Sequence, residues 1–364
     1  MKLREESKKV FISCGEISGE IHARNLSRQF IENGFEVYGI GGKGLEDIGV
    51  ILVEDVVSKS TIGFFEAIKN IYFFKKLLKK IEKLFDKEKF LCVILVDFWG
   101  FNKFVGRVAK KYGLPVFYYI SPQVWASRER RIIVMKKWVK KIYVAFPFEV
   151  EIYKRYGVDV RFFGHPLLDV LPEEGEFSLE KLRIGIMPGS RNQEIRKLLP
   201  LFLKICERIR KDFKNSEFYL FKVKGIDYSS FKIPDCINVV YDNDYETRRK
   251  LNFCLCASGT ATLENALLGI PMVIVYRVSL LTYFIARMIV KVKFIGMPNI
   301  LAGREIVPEF VQDIDENKIY EKVYEILSKR DKILNMRKEL LSLRKNLGTS
   351  GVARRVFEDM MRSL

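Results

Sequence analysis

The sequence predicts an α/β chain of two Rossmann-like domains facing each other across a cleft, followed by a helical C-terminal tail. Three observations carry that prediction. Short β-rich runs alternate with helix-length amphipathic segments, 364 residues exceed what one core ordinarily organises, and the alternation breaks once, near residue 172, before it resumes. With 48% hydrophobic residues, both halves can build a core.

The first series opens with VFISC (Val10 to Cys14), a helix over Glu20 to Asn33 stopped by Gly34, and EVYGI (Glu36 to Ile40). FLCVILV (Phe90 to Val96), PVFYYI (Pro115 to Ile120), KIYVAF (Lys141 to Phe146) and RFF (Arg161 to Phe163) follow, with helical stretches between them. Such alternation implies a parallel sheet wrapped by helices. The stretch LPEEGEFSLE (Leu171 to Glu180) gathers Pro, Gly and acidic residues as a linker does, and sets the first domain at 1–172. LRIGIM (Leu182 to Met187), FYLFKV (Phe218 to Val223), INVVY (Ile237 to Tyr241), FCLCA (Phe253 to Ala257) and PMVIVY (Pro271 to Tyr276) build a second domain over 173–345. From about Ile319 the pattern is helical and strongly charged, and the last segment, 346–364, packs back across the first domain or onto a second subunit. The pattern leaves both placements open, and with them a homodimer.

Composition narrows the function classes. A net charge of +18 draws the chain to polyanions without choosing among nucleic acid, an anionic bilayer and phosphorylated substrates. The start, MKLREESKKVFISCG, runs from charged residues straight into a strand and lacks the apolar core and cleavage site of a signal peptide, so a cytoplasmic protein is expected. The most apolar span, Val278 to Met297, is broken by Arg287, Lys291 and Lys293, so membrane contact is expected to be peripheral. Six cysteines lie mostly inside apolar runs without zinc spacing, and two histidines, His22 and His165, cannot build a histidine-rich centre. No metal and no cofactor is expected.

Ligands of doubly wound sheets gather at the carboxyl ends of the strands. After LRIGIM, the turn Pro188, Gly189, Ser190 leads into a helix with Arg191 at its mouth. Free N–H groups, the helix dipole and a guanidinium there suit phosphate oxygens; an ordinary capped turn is the plain alternative. After FCLCA, Ser258, Gly259 and Thr260 open a second helix that carries Glu264 one turn inside, where a carboxylate can accept hydrogen bonds from both ribose hydroxyls. A solvated helix glutamate is the alternative there. Gly39 to Gly44 fits G-x-G-x-x-G but follows a second strand and lacks an acidic partner, and Asp242-Asn243-Asp244 reads as a turn before it reads as a metal pair.

Six stretches together carry a family resemblance: GEISGE (Gly15 to Glu20), SPQVWA (Ser121 to Ala126), GHPLLD (Gly164 to Asp169), PGSRNQEI (Pro188 to Ile195), ASGTATLE (Ala257 to Glu264) and PNILAGRE (Pro298 to Glu305). In that order they resemble lipid-A-disaccharide synthase over nearly the whole chain. The resemblance implies a GT-B-type fold and transfer of 2,3-diacylglucosamine from UDP to the 6-hydroxyl of 2,3-diacylglucosamine 1-phosphate. The linkage formed is β-1,6, with inversion, and the UDP-sugar is a substrate, not a cofactor. It assigns Asp97 as the base and Arg191 as the residue that stabilises the leaving UDP. Pro188, Gly189, Ser190, Ser258, Gly259, Thr260, Glu264 and Asn299 are implied at the donor, with Glu16 and Ser18 on the acceptor side. Asp97 read alone is more readily a helix or turn cap. The chain departs from the family at Gly100, where a second acid is common, at Glu20 in place of Asp, and at Ser127 in place of a second tryptophan.

An enzyme that works on acylated sugars must touch the bilayer, at the cytoplasmic face of the inner membrane. In TIGFFEAIKNIYFFKKLLKKIEKLF (Thr61 to Phe85), Phe64, Phe65, Ile68, Ile71, Tyr72 and Phe74 precede Lys75, Lys76, Lys79, Lys80 and Lys83, a composition suited to anionic headgroups. A core helix with a solvated lysine face is the alternative. Two other functions stay in view: a soluble UDP-sugar enzyme of the same architecture, such as a UDP-N-acetylglucosamine 2-epimerase, and a non-enzymatic basic protein. No RNA-binding motif with interleaved aromatics is seen, so no nucleic-acid partner is expected.

Overall fold

The computed structural model describes residues 7–58, 67–125, 129–173, 175, 177–276, 294–312 and 314–364. The chain forms two α/β units, Met1–Val170 with Leu347–Leu364, and Leu171–Asn346.

The first unit is a seven-stranded parallel sheet. Its elements run β1 (Lys9–Ser13), α1 (Ile17–Glu32), β2 (Glu36–Gly41), α2 (Lys43–Glu46), β3 (Ile51–Asp55), α3 (Ala67–Lys87), β4 (Cys92–Val96) and α4 (Trp99–Lys111). They continue with β5 (Val116–Tyr119), α5 (Arg131–Lys136), β6 (Lys141–Tyr143), α6 (Glu149–Lys154), β7 (Val160–Arg161) and a 3-10 turn at Pro166–Asp169. Spatial order is β3-β2-β1-β4-β5-β6-β7. The central strands are continuous apolar runs because helices cover both faces: every residue of β4 is buried. The two faces carry separate clusters, one with Ala23, Leu26 and Phe30 of α1 and the other with Leu77, Ile81 and Phe85 of α3. Each buried Leu, Ile or Phe side chain among them contributes roughly 1.5–3 kcal/mol.

Helix α1 begins three residues earlier than the pattern suggests, at Ile17, with Glu16 in extended conformation before it. It ends as expected, at Asn33 and the left-handed Gly34.

The second unit contains β8 (Leu182–Met187), α7 (Asn192–Asp212), β9 (Ser216–Lys222), β10 (Ile237–Tyr241), α8 (Tyr245–Arg248), β11 (Phe253–Ala257) and α9 (Thr260–Leu267). Then come β12 (Met272–Tyr276), α10 (Met297–Ala302), β13 (Glu309–Val311), α11 (Glu316–Leu327) and α12 (Arg330–Asn346). Its six parallel strands lie in the order β10-β9-β8-β11-β12-β13. The closing helix, α13 (Val352–Ser363), returns to the first unit, where Phe357 meets Phe30 edge-on at 4.9 Å.

Both sheets reverse strand order once, between β1 and β4 and between β8 and β11. At such a point the connections leave in opposite directions and a crevice opens beyond the strand ends.

Candidate active site

In the first unit that crevice is bordered by the β1–α1 loop and by Asp97, the residue after β4. Asp97 and Phe98 both take left-handed backbone conformations, φ 45° and 48°. For non-glycine residues this region is sparsely used, and it turns the chain sharply out of the strand. Phe98 lies so close to the β1–α1 loop that a Cβ on Gly15 would sit 2.4 Å from its ring, which accounts for glycine there.

Burial, and then the negative charge of Glu16, push the Asp97 carboxyl up to about 6, against the backbone N–H of Phe98. A carboxylate in that range is ionised at neutral pH yet basic enough to take a proton. Glu16 is exposed and Ser18 half-buried, both at the start of α1. Gly100 is exposed, with nothing within 4 Å of the position a Cβ would take, so the missing acid leaves open space. Ser127 lies outside the described residues.

Glu20 has a role that its motif does not announce. Its half-buried carboxylate accepts the N–H of Leu45 at 3.2 Å, and a Cβ on Gly42 would lie 2.7 Å from its oxygens. Gly42 and Gly44, at the end of this glycine-rich stretch, therefore pack against a carboxylate supplied by the chain itself. Both histidines are buried as neutral rings, pushed down to about 4 for His22 and about 3 for His165, and His165 Nδ1 accepts the N–H of Leu167 at 3.1 Å. Trp125 packs edge-on against Phe148 at 5.3 Å, beside Glu149, which burial pushes up to about 8 and which accepts the N–H of Phe146 at 3.0 Å.

In the second unit, the loops after β8 and β11 flank the crevice. The first holds Pro188, Gly189 and Ser190. The N–H of Ser190, which the sequence offers to a phosphate, is bonded to Glu194 Oε2 at 3.2 Å, and a Cβ on Gly189 would lie 2.6 Å from that oxygen. Glu194 thus holds the turn from inside α7. Arg191 pairs with the other Glu194 oxygen at 3.4 Å but is 81% exposed, and such a pair leaves the guanidinium free to meet a ligand.

The loop after β11 is the open one. Gly259 has nothing within 4 Å where a side chain would project, Gly259 and Thr260 are exposed, and Ser258 Oγ donates to Ile295 O at 3.4 Å. Glu264 lies one turn inside α9 and is not a solvated helix residue. It pairs with Arg248, whose side chain is 2% exposed, and accepts the Tyr245 hydroxyl at 3.1 Å. Arg248 in turn donates to Asn265 Oδ1 at 2.8 Å and Ala261 O at 2.9 Å.

Asn299 is wholly buried. Its amide donates to Val307 O and Glu309 Oε1, both at 2.7 Å, and accepts the N–H groups of Ile306 and Val307. In this structure the amide is committed to the loop over 306–309 that it fixes. Asp244 caps α8 through the N–H and hydroxyl of Thr247, at 3.0 and 2.7 Å, as a turn residue does. Among the described residues, no cluster of three or more His, Cys, Asp or Glu is arranged to hold a metal ion.

Arg248 and Tyr245 escape sequence reading, as do the roles of Glu194 and Glu20. The one local signal was the glutamate four residues after Ser190, the spacing at which a first-turn carboxylate reaches back to a loop N–H.

Along α3, Leu77, Ile81 and Phe85 are buried and Phe74 packs on Phe101 at 5.0 Å, so this side of the helix belongs to the core, and Phe74 is no insertion residue. The other side exposes Ile71, Tyr72, Lys75, Lys76 and Lys79. Phe64, Phe65 and the side chain of Ile68 lie outside the described residues. Among the described residues, no helix is long and apolar enough to cross a membrane.

Residues 10–355 match the family model described as lipid-A-disaccharide synthetase. A lipid-A-disaccharide synthase of Syntrophus aciditrophicus is 35% identical, with 96% of each chain covered. That of Persephonella marina is 37% identical over 84% of this chain and 85% of its own. Among solved structures, a UDP complex of MnaA from S. aureus superimposes with TM-score 0.65 at 13% identity, covering 98% of this chain and 97% of the other. A UDP-N-acetylglucosamine 2-epimerase gives 0.64 at 12% identity, covering 97% and 96%. At such identities these two show the fold alone.

Proposed function

The chain belongs to the lipid-A-disaccharide synthase family of UDP-sugar glycosyltransferases, and on that premise we propose that it condenses UDP-2,3-diacylglucosamine with 2,3-diacylglucosamine 1-phosphate. The products are the β-1,6-linked disaccharide 1-phosphate and UDP, and the anomeric carbon inverts. The observation that carries the mechanism is Asp97: a carboxyl pushed up to about 6 on a strained turn at the reversal point of its sheet.

Asp97 takes the proton of the acceptor 6-hydroxyl as that oxygen attacks the anomeric carbon from the face opposite the pyrophosphate. The new C–O bond forms while the bond to the pyrophosphate breaks, and its electron pair leaves with UDP. Arg191, 81% exposed at the mouth of α7, supports that charge. The open end of α9, with Ser258, Gly259 and Thr260, receives pyrophosphate oxygens. Glu264, oriented by Arg248 and Tyr245, accepts from the ribose through lone pairs those two leave unused.

Epimerization of a UDP-sugar rests on likeness of fold at 12% identity, which carries no activity. The enzyme works at the cytoplasmic face of the inner membrane, with the exposed lysines of α3 toward anionic headgroups. The deciding experiment incubates the protein with both acylated glucosamine substrates and follows disaccharide and UDP by mass analysis. Epimerized UDP-N-acetylglucosamine with no disaccharide would sink the proposal.

A further inference from the structure

We propose that Asn102 and Tyr118 are positioning residues that hold Asp97 in its working conformation by gripping its main-chain carbonyl; this rests on Asp97 being the base.

Asp97 and Phe98 are consecutive non-glycine residues with φ of 45° and 48°. Such a turn persists only where its surroundings over-determine it. Here the grip comes from both sides. The Tyr118 hydroxyl donates to Asp97 O at 2.6 Å and Asn102 Nδ2 donates to the same oxygen at 2.8 Å. The Asp97 N–H, at the other end of the residue, points to Tyr119 O and Ile120 O at 3.3 and 3.2 Å.

Asn102 sits where β1 and β4 part. It is 0% exposed on the first turn of α4, and its Nδ2 also faces Ser13 O at 3.2 Å and Val96 O at 3.3 Å, while Oδ1 accepts the Ser13 hydroxyl at 2.5 Å. The amide takes up carbonyls at the ends of both strands as pairing stops there, since the β1–β4 ladder ends at Ser13 and Leu95. Tyr118 is likewise 0% exposed, and burial drives its hydroxyl well above its ordinary range, so it remains a donor. Neither side chain reaches a substrate; both fix the residue that does. A carboxylate free to rotate off this turn would lose its alignment with the acceptor hydroxyl and its desolvated environment together.

The test is Tyr118→Phe, which keeps the ring and removes one hydroxyl, with Asn102→Ser beside it. For Tyr118→Phe we expect KM for both substrates within about twofold of wild type and kcat lowered roughly ten- to a hundredfold. The acidic limb of the pH profile moves from near 6 toward the ordinary carboxylate range. Asn102→Ser should do the same more severely. Wild-type kcat with an unmoved acidic limb in Tyr118→Phe overturns the proposal, and so does a rate loss fully matched by loss of folded protein with the limb unmoved. Asp97→Asn, assayed alongside, separates the two ideas. If Asp97→Asn is inactive while Tyr118→Phe behaves as wild type, only the positioning role falls; if Asp97→Asn is fully active, the base assignment falls and takes the positioning role with it.

Discussion

The carboxylate of Asp169 caps the helix that begins at Val352. Asp169 Oδ1 accepts the N–H groups of Gly351 and Val352 at 2.6 and 2.9 Å, and Oδ2 accepts that of Ala353 at 2.7 Å. Three otherwise unpaired helix donors and the positive end of the helix dipole meet one anion. Close by, a Cβ on Gly348 would lie 3.0 Å from the Cα of Gly164, and Arg355 donates to Phe163 O at 2.9 Å. The stretch GHPLLD is thus the mooring of the chain's last helix. Asp169→Ala should lower stability by about 2 kcal/mol, a fall in Tm of roughly 4–8 °C, and make 347–364 the first segment cut in limited proteolysis. Unchanged melting and unchanged protection would show that the cap holds nothing.

How much of this was legible beforehand divides by sequence distance. Parallel sheets, the helix stop at Gly34 and the loops after β8 and β11 follow from residues within a few positions of one another. Glycine and serine after an apolar run announce a turn into a helix whatever lies elsewhere. Other groups that shape the sites and hold the fold come from afar: Arg248 reaches Glu264 across 16 residues, Asn102 reaches Ser13 across 89, and Gly351 reaches Asp169 across 182. No periodicity records such pairings. Asp97 could be singled out through the resemblance, but a carboxylate after a strand reads first as a cap until burial and the left-handed turn are known.

Removing the charge at Asp97 should make the protein more stable and inactive. The folded-state pKa, about 6, lies above the ordinary 3.8, so the fold favours the protonated form. Wild-type stability therefore falls as pH rises from about 4 through 6 and stays lower above. Asparagine escapes that loss and tolerates the left-handed backbone. At pH 7 Asp97→Asn should gain on the order of 2–3 kcal/mol, a gain that vanishes below about pH 4, while transfer drops roughly 10²–10⁴-fold. Denaturant melts at pH 4 and 7, with a product assay, check both halves; equal gains at the two pH values would refute the ionisation argument.

Glu16→Gln should move the pH dependence of transfer. After burial, the negative charge of Glu16 is the next cause holding the Asp97 carboxyl up. Neutralising it lets Asp97 ionise at lower pH, so the acidic limb of kcat/KM, expected near 6, shifts downward while the rate at pH 8 changes little. An unmoved limb would mean that Glu16 and Asp97 do not sense each other during turnover.

Arg248 and Glu264 should behave as one unit. Arg248 is buried and Glu264 is 13% exposed, so either left alone is a poorly solvated charge. Arg248→Ala should cost about 3–5 kcal/mol and weaken UDP binding, measured by calorimetry, by letting the carboxylate rotate away from its Tyr245 contact. The double variant with Glu264→Ala should be less destabilised than the two single losses together, by at least about 1 kcal/mol. Strict additivity would mean that the two side chains do not stabilise each other, and unchanged UDP binding in Arg248→Ala would remove the pair from the donor side.

The exposed side of α3 separates a membrane contact from an ordinary solvated face. Leu77, Ile81 and Phe85 anchor the helix from beneath, so reversing Lys75, Lys76 and Lys79 on the opposite side leaves the core intact and should keep Tm within about 2 °C. Each cation near an anionic surface contributes about 1 kcal/mol. Loss of three therefore predicts at least a hundredfold drop in partition onto phosphatidylglycerol vesicles, with strong dependence on salt. Activity on short-chain substrates dispersed in detergent should persist, because such substrates need no anionic surface to reach the enzyme. Sedimentation equal to wild type would leave α3 as a core helix with a solvated lysine face.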